Sequence, residues 1–301
     1  MNILPMTTAE VFDRTIDVYK KSFGNQLAYA AIIGVIAFAA TTFISFIALF
    51  VIGFVAIGGG ASDTMVLVLV MAVILPLVGL WLALISSGAI LMSKRTLYGY
   101  RVKLPMKELP QIVGRVFGTL VAIAIMSAPF LGAIIFVIYY APIIDILFSW
   151  TSFILAGGLA IGFAIYSNIF SLAIAAAVFE RTTFFGAVKR SWSLVHGEFW
   201  KIAGSRAIWI VVIMAITYAT QGAAYLVNLL LLGLSSTANQ TAFIFITMAV
   251  MAITGLVTLA ISFITMPLDG IFHAVLYFNQ RVKREGLDIE VKLERLSHDF
   301  L

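Results

Sequence analysis

The chain has 301 residues, of which 62% are hydrophobic and only 11% charged. A soluble domain carries about 25% charged residues, so the composition excludes a water-soluble globular protein and points to a membrane one. No cysteine is present, which excludes a disulfide framework, a thiolate nucleophile and a cysteine metal site, and the net charge of +5 is too dispersed to read as a nucleic-acid signal.

The N-terminal stretch carries Glu10, Asp13, Arg14, Asp17, Lys20 and Lys21. The apolar run behind it is far longer than the roughly 7–15 residues of a signal-peptide core, so a cleaved leader is not expected. Thr7 with Glu10 reads as a capping box opening an amphipathic helix, whose Phe12, Ile16, Tyr19 and Phe23 recur at steps of three and four. A spanning helix needs ~20 apolar residues to cross ~30 Å of hydrocarbon. Six runs qualify, at about 27–57, 65–92, 116–140, 151–179, 207–232 and 242–266. Pro76 removes a backbone donor and is expected to kink the second. Turns at 58–63, 141–150 and 233–240 join the members of each pair, and none holds a Lys or Arg.

All 19 Lys and Arg residues fall in the other four segments. Arg14, Lys20 and Lys21 precede the first span. Lys94, Arg95, Arg101, Lys103, Lys107 and Arg115 lie between the second and third. Arg181, Lys189, Arg190, Lys201 and Arg206 lie between the fourth and fifth, and Arg281, Lys283, Arg284, Lys292 and Arg295 follow the last. With six spans these segments share one face, which the positive-inside bias makes cytoplasmic. The expected fold is therefore all-α, a polytopic six-helix membrane domain with both termini inside.

The stretch 184–202 sets the organisation. Phe185, Val188, Trp192, Val195 and Phe199 form a helical stripe, while Lys189, Arg190, Ser193 and His196 turn away. Shifting the N-terminal stretch by 176 places Phe12, Ile16, Tyr19 and Phe23 on Val188, Trp192, Val195 and Phe199, and Arg14 on Arg190. A weaker copy runs from Met106 through Val116. Three units follow, at about 7–103, 104–180 and 181–286, each an amphipathic helix plus a helical hairpin. The tail, 287–301, has Ile289, Leu293, Leu296 and Phe300 at helical spacing and reads as a further cytoplasmic amphipathic helix.

Two motifs carry a resemblance. The first is Phe179-Glu180-Arg181 followed by Ala187-Val188-Lys189-Arg190-Ser191-Trp192-Ser193-Leu194-Val195-His196-Gly197-Glu198-Phe199-Trp200. The second is Leu276-Tyr277-Phe278 with Arg281-Val282-Lys283-Arg284-Glu285-Gly286-Leu287-Asp288. Together with Tyr98-Gly99-Tyr100-Arg101-Val102, they resemble the bacterial glycerophosphoryl diester phosphodiesterase membrane-domain family. That name comes from proteins in which such a membrane part is fused to a soluble phosphodiesterase barrel that supplies the catalytic residues and the metal. Here the six spans use up the chain, so the resemblance implies a membrane module in a bacterial inner (plasma) membrane, with no catalytic residue transferred.

Ionisable groups within or near spans are costly and are the first functional suspects. Asp269 and His273 stand one turn apart and can form an ion pair or share a proton. The shift of 180 that aligns Arg101 with Arg281 puts Asp269 about 7.5 Å inside the position equivalent to Lys94, which favours a structural, interfacial pair. Glu180 and Arg181 close the fourth span and read first as salt-link partners of their neighbours. Asn168 lies in that span, where an amide more often bonds across helices than binds cargo. Trp192, Phe199, Trp200, Lys189, Arg190, Phe12 and Tyr19 read as lipid or interface contacts rather than a binding cage. No metal or phosphate-binding motif is present, and no cofactor is expected. The expected function is a non-enzymatic scaffold or accessory subunit contacting anionic headgroups or a partner complex. A transporter is the alternative, and an intramembrane enzyme a distant third.

Overall fold

The computed structural model describes residues 5–57, 63–144, 148–235 and 240–286, and among them regular structure is helical throughout. The helices are α1 (Thr8–Ile57), α2 (Asp63–Leu97), α3 (Leu109–Ile144), α4 (Phe148–Ser167), α5 (Ala173–Phe179), α6 (Phe184–Val195), α7 (Phe199–Ser235) and α8 (Gln240–Glu285), with a 3-10 turn at Asn168–Phe170. Five segments of the described residues are long and apolar enough to cross a membrane: Leu77–Leu97, Leu109–Ala133, Gly157–Phe179, Phe199–Ala219 and Thr247–Glu285. The other expected run, 27–57, forms the distal part of α1, where many side chains lie outside those described. The expected tail helix, 287–301, lies outside them altogether.

Thr7 opens α1 as its sequence predicts. Its backbone N–H donates to Glu10 Oε2 (2.6 Å), and Glu10 N–H donates back to Thr7 Oγ1 (3.4 Å). α1 then runs unbroken from the amphipathic stretch into the apolar one. α2 likewise continues through Pro76 without interruption. The turn expected at 141–150 is largely helical, since α3 extends to Ile144 and α4 begins at Phe148.

α1, α2 and α8 pack on one another, α7 lies against α8, and α3 links α2 to α4. The short α5 sits at the centre and meets α2, α3, α6 and α8. It is the alanine-rich sequence Ala173-Ile174-Ala175-Ala176-Ala177, in which all four alanines are fully buried. Small side chains let four helix backbones converge there, as spanning helices require when apolar burial gives no net drive between them. Gly270 makes a similar approach possible between α8 and α2. A Cβ built on it would stand 2.8 Å from Ala89 Cβ, closer than packing allows.

The expected stripe is rotated by about one residue. In α6 the buried face is Ala187, Val188, Ser191, Leu194 and Val195, while Phe185 and Trp192 point outward. In α1 it is Val11, Thr15, Val18, Ser22 and Gln26, while Ile16 and Phe23 point outward. The physical reason is that bulky apolar residues are not forced inward when the surroundings are themselves apolar, whereas tight helix packing selects small ones.

Candidate functional site

The two motifs meet at Glu180, the residue that follows α5. Arg190 of α6 grips its carboxylate with two nitrogens, Nε at 2.7 Å from Oε2 and Nη2 at 2.7 Å from Oε1. The Tyr277 hydroxyl of α8 donates to the same carboxylate, and Arg281 Nε lies 3.5 Å from it. Arg190 also pairs with Glu285, which Arg281 holds from one turn away at 2.8 Å. Beyond this centre, Arg284 donates to the Ser193 carbonyl (2.5 Å), and Lys283 lies 3.2 Å from Glu198. The end of α8 is thus clamped along α6 and the start of α7. Gly286, at φ 61°, terminates α8 in the left-handed conformation that glycine favours. Lys94 of α2 donates to the Phe179 carbonyl (2.8 Å) and covers the C-terminal end of α5.

Burial alone would raise the Glu180 carboxyl. Hydrogen bonds from Arg190 and Tyr277, with the charges of Arg190 and Arg281, outweigh it and hold the group below the usual carboxylate range. Glu198 is lowered in the same sense, its partial burial outweighed by Gln280 and Lys283. Both are fixed anions, matched by cations.

The apolar run 151–179, expected as the fourth span, is broken, which its uniform composition does not announce. α4 ends at Ser167, a 3-10 turn follows, and α5 starts at Ala173. A break in a span frees backbone groups that hydrocarbon cannot satisfy. Ser191 of α6 supplies the missing partners: its hydroxyl donates to the Ile169 carbonyl (2.5 Å) and accepts from the Leu172 N–H (3.1 Å). The break also turns Asn168 toward α7, where its Oδ1 accepts from Arg206 Nη1 (2.5 Å).

A second polar layer lies deeper. His273 Nδ1 is 3.4 Å from Asp269 Oδ2 and 2.9 Å from the Asp269 carbonyl, and Trp209 Nε1 donates to Asp269 Oδ1 (3.3 Å). Trp209 stacks on Phe272 (4.7 Å between centroids) and on Phe12 (6.0 Å). The Arg206 charge acts on Asp269 too, so Asn168, Arg206, Asp269 and His273 belong to one neighbourhood. At ~1.5 Å per residue, Asp269 and Tyr277 are ~12 Å apart along α8, so Glu180 belongs to a different layer from Asp269.

The interface residues divide. Trp200, 73% exposed, together with Trp192 and Lys189, lies on the outer surface. Phe199 packs against the core, Phe12 joins the aromatic stack, and the Tyr19 hydroxyl donates to the Ile264 carbonyl (2.8 Å). Arg190, expected as a headgroup contact, is paired with carboxylates of the protein. Two carboxylates, Glu180 and Glu285, draw it inward, and their attraction in a partly buried setting exceeds that of a distant screened surface. Arg181 stands beside Glu180 in a left-handed backbone (φ 58°), exposed and outside the clamp. Ser191, Tyr277, Arg281 and Glu285 lie within the two motifs, and Arg206 stands just before an apolar run, but none of them, nor Trp209, stood among the candidate site residues.

Among the described residues no group of three His, Asp or Glu is placed to hold a metal. Comparison of the chain with protein-family models, curated proteins and solved structures gives no match.

Proposed function

We propose that the chain is a non-enzymatic membrane scaffold or accessory subunit, whose cytoplasmic end is a rigid platform for headgroups or a partner complex. The observation that carries the reading is the clamp at Glu180. Its carboxylates are each engaged by cations, and α5, whose four alanines are fully buried, packs among α2, α3, α6 and α8 beside them. Such a layer holds helices together and offers no poised nucleophile. In this reading six spans place all basic segments inside a bacterial inner membrane, as a module of the kind the two motifs resemble. Support for the repeat units comes from burial. Val11, Thr15 and Val18 fall on Ala187, Ser191 and Leu194 at the shift of 176, and all six are buried. Ile16 falls on Trp192, and both are exposed, at 45% and 42%.

A transporter is the second reading, favoured by the broken fourth helix beside Arg206 and Asp269. The Asp269 carboxylate is held by His273 of its own helix and Trp209 of α7, which suits a helix-joining role better than a cargo site. Proteoliposomes of the purified chain decide between them. The scaffold reading expects solute and lipid flux equal to that of protein-free vesicles. A saturable flux abolished by Asp269→Asn overturns it.

A further inference from the structure

Among the described residues, Glu108, Glu180, Glu198, Asp269 and Glu285 each have a basic partner, and Glu10 caps α1. Asp13 and Asp17 differ. Both are exposed, and neither enters an ion pair among the described residues. They stand one turn apart on the outward side of α1, away from the buried Val11, Thr15 and Val18, with Ile16, 45% exposed, beside them. An anionic headgroup surface attracts cations and repels such a stripe, so lipid does not suit it as a cover.

A stripe of opposite sign lies on another flank. α6 exposes Lys189 and Trp192, with the exposed Arg181 just ahead of it, and its sequence contains no Asp or Glu. Lys189, too, enters no ion pair among the described residues. The shift of 176 places Asp13 on Lys189 and Ile16 on Trp192. The two helices therefore expose one pattern, a charge followed three residues on by a large apolar side chain, with the sign of the charge reversed. Both flank the same end of the bundle. Val11 and Val18 behind one stripe, and Leu194 behind the other, bury in a single apolar cluster with Tyr277 and Val282 of α8. Their neighbours differ, since α1 packs on α2 and α8 whereas α6 packs mainly on α3 and α5. Each stripe points away from its own molecule, so a second copy is needed to bring the two together.

We propose that copies of this chain associate side by side, the acidic stripe of α1 in one copy lying on the basic stripe of α6 in the next. Unlike faces make the contact heterologous, so every added copy presents a fresh stripe and assembly continues as a ring or a row. Trp192 and Ile16 form the apolar centre, where a tryptophan concentrates binding energy. The exposed charges add little affinity and select which face is met. The inference rests on the scaffold reading and names its partner as a second copy. A solitary chain that carries no flux would leave that reading standing and remove only this one.

The chain has no cysteine, so introduced ones are its only thiols. Asp13→Cys and Lys189→Cys, expressed together as full chains with different tags, are treated in native membranes with a short bismaleimide. The mixed pair should crosslink at least about fivefold more than either variant with itself. In a second pair, Asp17→Cys and Ser193→Cys, adding Asp13→Lys to the first chain should lower the mixed yield about fivefold, and adding Lys189→Asp to the second should restore it. All four positions are exposed, so folding is expected to survive, and matched melting curves check this. Equal crosslinking in every pairing, none in the mixed pair, a yield indifferent to Asp13→Lys, or failure of Lys189→Asp to restore it overturns the proposal. So does loss of co-purified anionic lipid on Lys189→Asp without crosslinking, which assigns the α6 stripe to headgroups instead.

Discussion

At the scale of single residues, Glu180 and Ser191 concentrate the energetics. Glu180→Gln leaves Arg190 and Tyr277 facing a neutral group in a partly buried layer, and should cost about 3 kcal/mol. The pH dependence follows from the sign of its shift. The folded carboxyl lies below the unfolded value of ~4.3, so its contribution is complete above that pH and is lost as the pH falls through the folded value. Melting of the wild type in detergent should therefore drop on acidification below pH ~4, and Glu180→Gln should flatten that drop. Equal acid sensitivity in both proteins would count against the assignment. Ser191→Ala strips partners from a buried and a part-buried backbone group at the break between α4 and α5 and should cost ~2–4 kcal/mol. Ser191→Thr keeps the hydroxyl and should recover part of it. Asp269→Asn should also lower the melting temperature, because it leaves the partly buried Arg206 and His273 with less compensation.

At the scale of elements, α6 is a docking helix more than a floating interfacial one. Removing its two cations together would hide the difference between them. Lys189→Ala, on the outer face, should shift stability by no more than ~0.5 kcal/mol. Arg190→Ala breaks two ion pairs and should cost about 3 kcal/mol. Matched melting curves of the two variants check this, and similar curves would return α6 to the lipid surface. The approach of α8 to α2 gives a steric counterpart: Gly270→Val should destabilise by about 1–3 kcal/mol, since Ala89 leaves no room for a side chain. Much of this level was legible beforehand. Run lengths announced long helices, and Thr7 with Glu10 announced the start of α1. The rotated stripes were not legible, because a bulky apolar residue fits equally well against lipid or protein. The break at Asn168 was hidden inside an even apolar run, and its stabiliser, Ser191, lies 22 residues from Ile169, its acceptor. Short-range spacing carries no trace of such a contact.

At the scale of the whole molecule, both motifs were visible as basic, aromatic stretches, but their meeting was not. It depends on α5 bringing Glu180 to Arg190 and α8 bringing Tyr277 and Arg281 to the same carboxylate. In the proposed function this clamped end, and every basic segment, lies on the cytoplasmic side of six spans. Because the chain contains no cysteine, single introduced cysteines report on sidedness without background. Asp145→Cys and Lys103→Cys, probed in intact cells with a membrane-impermeant maleimide, test the arrangement most directly. Asp145→Cys should label at once, and Lys103→Cys only after the membrane is opened. Labelling of Lys103→Cys in intact cells, with Asp145→Cys protected, would contradict the six-span arrangement and the cytoplasmic platform with it.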